Sequence, residues 1–97
     1  MPTLSVENYL GLLKRSGLLS EEKLGTALAE FQQKTGTPAD QAPAAQLARF
    51  LIERELITPW QNEYLFQGKH KGFFLGKYKL LRMLGAGGMG AVFLAEH

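Results

Sequence analysis

The chain has no cysteine among its 97 residues, which excludes a disulfide framework, a thiolate metal site and a cysteine nucleophile. Nothing in it calls for an oxidising compartment. No apolar run approaches the roughly 20 residues that cross a bilayer. The start, Met1-Pro2-Thr3-Leu4-Ser5-Val6-Glu7, lacks the basic and apolar regions of a secretory signal. A cytoplasmic location without a membrane segment is the expectation. Histidine is scarce: His70 has no other histidine or carboxylate at ligand spacing and His97 is terminal, so no metal site is predicted. Charge of one sign is also lacking, since the formal net charge is +2, too little to argue for a nucleic-acid or membrane partner.

What is present divides in two. Residues 1–68 carry six basic and eight acidic side chains, whereas residues 69–97 carry five basic ones and Glu96 as the lone acid. Seven of the eleven glycines fall at position 68 or beyond. The expected organisation is a helical module over 1–68, a linker over 69–76, and a β-hairpin over 77–97.

In the first region Val6, Tyr9, Leu10 and Leu13 stand at the spacing of one helix face, between a Ser5 cap and Gly17. Leu24, Leu28 and Phe31 make a second stripe after Ser20 as N-cap. Glu21 and Glu22 suit the helix dipole there, Leu19 and Leu24 suit a hydrophobic staple, and Gly36 is a stop. Pro38 and Pro43 mark a loop, and Leu47, Phe50 and Leu51 form a third stripe over residues near 44–54. Thr58-Pro59-Trp60-Gln61 opens a fourth helix with a capping box and proline at its first position, and Gly68 closes it. Leu18-Leu19-Ser20 and Leu56-Ile57-Thr58 lie 38 residues apart, and each follows one helix and caps the next. This predicts two repeated helical hairpins. The phrase loosely resembles the small helical modules ahead of bacterial secretion ATPases.

Chemistry is sparse in this region. Glu21 and Glu22 diverge on their helix, as do Glu53 and Glu55, which predicts solvated carboxylates rather than an acid/base pair. Trp60 and Tyr64, four apart, read as packing aromatics.

In the second region Tyr78 to Leu84 is strand-like, Gly85-Ala86-Gly87-Gly88-Met89-Gly90 cannot be regular helix, and Ala91 to Ala95 is strand-like again. The fold class expected is therefore mainly α: a four-helix module of two helical hairpins followed by a two-stranded antiparallel β-hairpin. The turn reads GxGxxG, a spacing shared with dinucleotide-binding turns, but those continue into a helix. Here Val92 stands two residues on within an apolar run, extending the match to GxGxxGxV.

The stretch from Gly76 to His97 resembles the start of the catalytic domain of bacterial eukaryotic-like serine/threonine protein kinases. The resemblance implies two antiparallel strands folding a glycine-rich loop over ATP with Mg²⁺ in a full-length parent. Gly85, Gly87 and Gly90 would admit the phosphates to main-chain N–H groups, Leu84 and Val92 would roof the adenine, Met89 would take the loop tip, and Ala86 and Gly88 complete the loop. Phe73, Phe74 and Leu75 are expected to dock the linker. The family also needs a third-strand lysine, a helical glutamate, a catalytic aspartate and a metal-binding aspartate, all beyond His97. The chain is therefore read as the N-terminal piece of a longer kinase, inactive alone and without a cofactor of its own.

The helical module would recruit a protein partner or regulate the kinase, and the hairpin, unless it packs on the helices, is expected to self-associate through its edges. A winged-helix nucleic-acid binder is the alternative, because helices followed by a basic hairpin is also that fold's order. Against it, Gln46, Arg49 and Arg54 of the third helix stand among Glu53 and Glu55, a poor surface for phosphate.

Overall fold

The computed structural model describes residues 4–87 and 90–97; the expectations for Gly88 and Met89 lie outside them. Four helices come first: α1 (Val6–Ser16), α2 (Glu21–Thr35), α3 (Ala44–Glu53) and α4 (Pro59–Phe66), with a 3-10 turn at Ala39–Gln41 between the second and third. Three strands follow, β1 (Phe74–Leu75), β2 (Tyr78–Gly87) and β3 (Gly90–Glu96), in one antiparallel sheet of order β1-β2-β3. The fold is mainly α with a C-terminal hairpin, as the periodicity predicts. The addition is β1, which arises within the expected linker and pairs Phe74 with Lys79 and Leu75 with Tyr78.

The helix ends follow from particular side chains. Ser5 Oγ accepts from Asn8 N–H at 3.1 Å and Ser20 Oγ accepts from Lys23 N–H at 3.1 Å, each satisfying a donor with no intrahelical partner. Thr58 and Gln61 form the capping box: Gln61 N–H donates to Thr58 Oγ1 at 3.1 Å and Thr58 N–H donates to Gln61 Oε1 at 2.9 Å. At the C-terminal ends Gly17, Gly36 and Gly68 take the left-handed conformation, at φ 74°, 75° and 83°. After α3 that position falls to Glu55, at φ 59°. Leu56 N–H donates to Leu51 O at 3.0 Å and Glu55 N–H to Ile52 O at 2.9 Å, the two bonds of a Schellman motif.

These ends give the repeat a geometric basis. Gly17 and Glu55, both left-handed, stand 38 residues apart, and so do the capping Ser20 and Thr58 and the first helical residues Val6 and Ala44. The two hairpins share a core in which Tyr9, Leu13, Phe31, Leu47, Leu51 and Leu65 are fully buried. Leu19 and Leu24, the expected staple, both belong to it. Tyr9 ties the hairpins together: its hydroxyl donates to Asn62 Oδ1 at 2.5 Å and its ring meets Phe66 edge-on at 5.3 Å.

Candidate functional site: the glycine hairpin and its seat on the helices

Strands β2 and β3 carry the residues singled out for chemistry. Their register pairs Lys79 with Glu96, Leu80 with Ala95, Arg82 with Leu94, Met83 with Phe93, Gly85 with Val92, Ala86 with Ala91 and Gly87 with Gly90. Two residues of β2 advance against one of β3 between Leu80 and Arg82, and again between Met83 and Gly85, so Leu81 and Leu84 are the extra residues of two β-bulges. Bulges bend a strand and raise its twist, and both precede the glycine turn.

The hairpin brings Gly85 and Val92 opposite one another, with Leu84 adjacent in its bulge. Leu84 is 53% and Val92 61% exposed, so both apolar side chains stand in solvent beside the turn. The glycines differ in what the backbone asks of them. Gly90 has φ 121°, a region essentially closed to other residues. Gly85 has no positive φ, and a Cβ built on it meets nothing within 4 Å. Neither backbone conformation nor packing within the described residues requires glycine at position 85.

The hairpin rests on α4. Phe73 is fully buried, and Trp60 gathers three rings about itself: Tyr64 at 4.6 Å, Phe93 at 5.7 Å and Phe73 at 6.1 Å between centroids. Trp60 and Tyr64 are thus packing aromatics. Polar links reinforce the seam. Gln61 Nε2 donates to Leu80 O at 2.7 Å, Thr58 Oγ1 donates to Leu81 O, and Lys79 Nζ donates to Leu18 O at 3.0 Å in the turn between α1 and α2. Lys69 lies over the Tyr64 ring at 4.9 Å, a cation–π contact.

One docking expectation needs correction. Phe73 docks, but Phe74 and Leu75 are 43% and 62% exposed. They are committed to β1, whose pairing with β2 occupies their backbone, and the edge of the Phe74 ring lies 3.6 Å from where a Cβ would stand on Gly17 at the end of α1. The residues that sequence reasoning missed are Thr58, Gln61 and Lys79 in their contacts across the seam. Thr58 and Gln61 were readable as a capping box, but nothing in a linear pattern says that a cap also grips a strand.

Elsewhere the titratable groups do not converge. Glu21, Glu22, Glu53 and Glu55 are all exposed. Glu30 pairs with Arg54, whose guanidinium also lies 4.8 Å over the Phe50 ring. Among the described residues no group of three or more histidine, cysteine or acidic side chains could hold a metal ion, and no helix is long and apolar enough to cross a membrane. Beside the turn the hairpin exposes the apolar side chains of Leu84 and Val92. No protein-family model, curated protein or solved structure matches the chain.

Proposed function

We propose that this chain is the N-terminal part of a serine/threonine protein kinase: a helical regulatory or interaction module joined to the first hairpin of the ATP-binding lobe. In the full-length protein, Gly85, Gly87 and Gly90 let ATP phosphates approach the main chain while Leu84 and Val92 cover the base, with Mg²⁺ held by residues beyond His97. The 97 residues alone transfer no phosphoryl group. The helical module lies on the cytoplasmic side with the kinase and engages a protein partner.

The observation that carries this reading is Gly85. A plain hairpin turn accounts for glycine where φ is positive, as at Gly90, but Gly85 has no such conformation and open space where its Cβ would be. A ligand that must touch bare main chain gives glycine there a purpose. The exposure of Leu84 and Val92 beside it supports the same reading.

The test has two parts. The reading frame past His97 should encode a further strand bearing a VAxK-like lysine; continuation into an amphipathic helix would remove the proposal. In the full-length gene product, Gly85→Val should raise the KM for ATP about tenfold or more, since a branched side chain blocks close approach. The circular dichroism of the variant should match the parent, because a Cβ at position 85 meets nothing within 4 Å and the backbone there has no positive φ. Salt-sensitive retention on duplex DNA that disappears when Lys69, Lys71, Lys77 and Lys79 are neutralised would instead favour the winged-helix reading.

A further inference from the structure

The first turn of α4 uses the same two side chains twice. Thr58 and Gln61 satisfy each other's backbone N–H groups in the capping box, and each then donates to a carbonyl of β2. Gln61 is 1% exposed, so its amide lies in a setting where an unmet donor or acceptor is costly. Both of its polar atoms are met, the oxygen by Thr58 N–H and the nitrogen by Leu80 O.

Strand geometry explains why those carbonyls are available. The N–H and C=O of one strand residue point to the same side. Leu80 N–H donates to Phe73 O at 2.7 Å, so the Leu80 carbonyl also points away from β3. The β1 pairing stops at Lys79 and the last bond on that side is the one from Leu80 N–H, which leaves the edge of β2 open from the Leu80 carbonyl onward. The bulge adds the Leu81 carbonyl to that edge, and α4 covers the edge with Gln61 and Thr58. An open strand edge is ordinarily a liability; here a helix end closes it with two oriented hydrogen bonds.

We propose that the first turn of α4 is a positioning clamp for the nucleotide-facing end of the hairpin. Thr58 and Gln61 fix β2 at its first bulge, and so fix the direction in which Leu84 and Gly85 leave the second. The inference rests on the reading of the glycine turn as a phosphate-binding loop. It adds that the helical module works as part of the ATP-binding lobe. Thr58 and Gln61 are positioning residues that act through β2. Without them the hairpin keeps its aromatic contacts to Trp60, which set distance but impose less direction than hydrogen bonds, and the loop samples a range of orientations.

Hydrogen–deuterium exchange on this chain tests the clamp directly. Gln61→Leu removes both side-chain hydrogen bonds at similar volume, Thr58→Val removes the hydroxyl, and Thr58→Ser keeps it. The first two variants should speed exchange of β2 and β3 amides about tenfold or more relative to those of Leu13, Phe31 and Leu47, and Thr58→Ser should restore parent behaviour. Equal acceleration in helices and sheet, or no rescue by serine, would overturn the clamp. In the full-length gene product Gln61→Leu should raise the KM for ATP about tenfold and leave kcat within about threefold; an unchanged KM in an active kinase would overturn the link to nucleotide binding. A full-length product that binds no ATP would remove the kinase reading, and the exchange measurement would still decide the clamp.

Discussion

Glu55 is the sole non-glycine residue with positive φ among the described residues, and its side chain is exposed. Its place is set by the Schellman closure of α3, which needs a left-handed residue after Arg54. A left-handed L-residue costs about 1–2 kcal/mol, partly offset on substitution by the extra freedom that glycine gives the unfolded chain. Glu55→Gly should therefore stabilise the protein by about 0.5–1 kcal/mol, read as a raised urea midpoint with unchanged slope. Glu55→Ala should leave the midpoint nearly where it was. Tyr9 gives a residue-scale pH prediction. Burial pushes its phenol above the ordinary value of 10.0, because the charged form is poorly solvated inside the core. With the folded pKa above the unfolded one, this group's stabilisation is complete below pH 10.0 and is lost as pH rises through that value toward the folded pKa. Alkaline unfolding curves should show the loss in the parent and its removal in Tyr9→Phe. That variant should also be less stable at neutral pH by about 1 kcal/mol, since Asn62 loses its donor.

Among the elements, the helices and their ends were legible in the sequence because each is decided locally. Ser5, Ser20 and Thr58 cap through side chains three residues from the groups they satisfy, and stripes such as Leu24, Leu28 and Phe31 need only the helical period. The glycine turn was legible as strand, turn and strand for the same reason. What could not be read was set by contacts between distant segments. β1 is two residues long and exists because Tyr78 and Lys79 are there to pair with it. The exposure of Phe74 and Leu75 follows from that pairing. The dual role of Thr58 and Gln61 depends on β2 arriving some twenty residues later. The repeat turns this into a measurement. Among the described residues Ser20 caps α2 without a hydrogen bond to a strand, whereas Thr58 caps α4 and also donates to Leu81 O. Ser20→Ala should cost about 1 kcal/mol. Thr58→Ala should cost about 1 kcal/mol more than that, because a partly buried carbonyl loses its partner as well. Equal losses in chemical denaturation would mean that the Leu81 contact contributes nothing to stability.

At the scale of the whole molecule, the sheet has two edges in unlike states. The β2 edge is closed first by β1 and then by the start of α4, while β3 is terminal in the strand order and carries no strand on its outer side among the described residues. β3 runs seven residues from Gly90 to Glu96 without a proline or lysine, and Val92 and Leu94 are 61% and 42% exposed along it. Strands of that kind recruit another strand, and lysine or proline on the edge is the usual protection. In a kinase lobe the next strand would take the position. In the 97-residue chain the available partner is β3 of a second copy, and antiparallel pairing about Phe93 would set Glu96 of each chain opposite Gly90 of the other, keeping the two carboxylates apart. The seat on α4 leaves this edge free, so docking on the helices and pairing between chains are compatible. The molar mass by light scattering should rise from 10.8 kDa toward twice that value as concentration increases. Leu94→Lys should hold it at the monomer value by placing a charge on the edge, with the helical circular dichroism unchanged. A mass independent of concentration in the parent chain would show that β3 does not recruit its own copy, and would leave the edge to a strand from beyond His97.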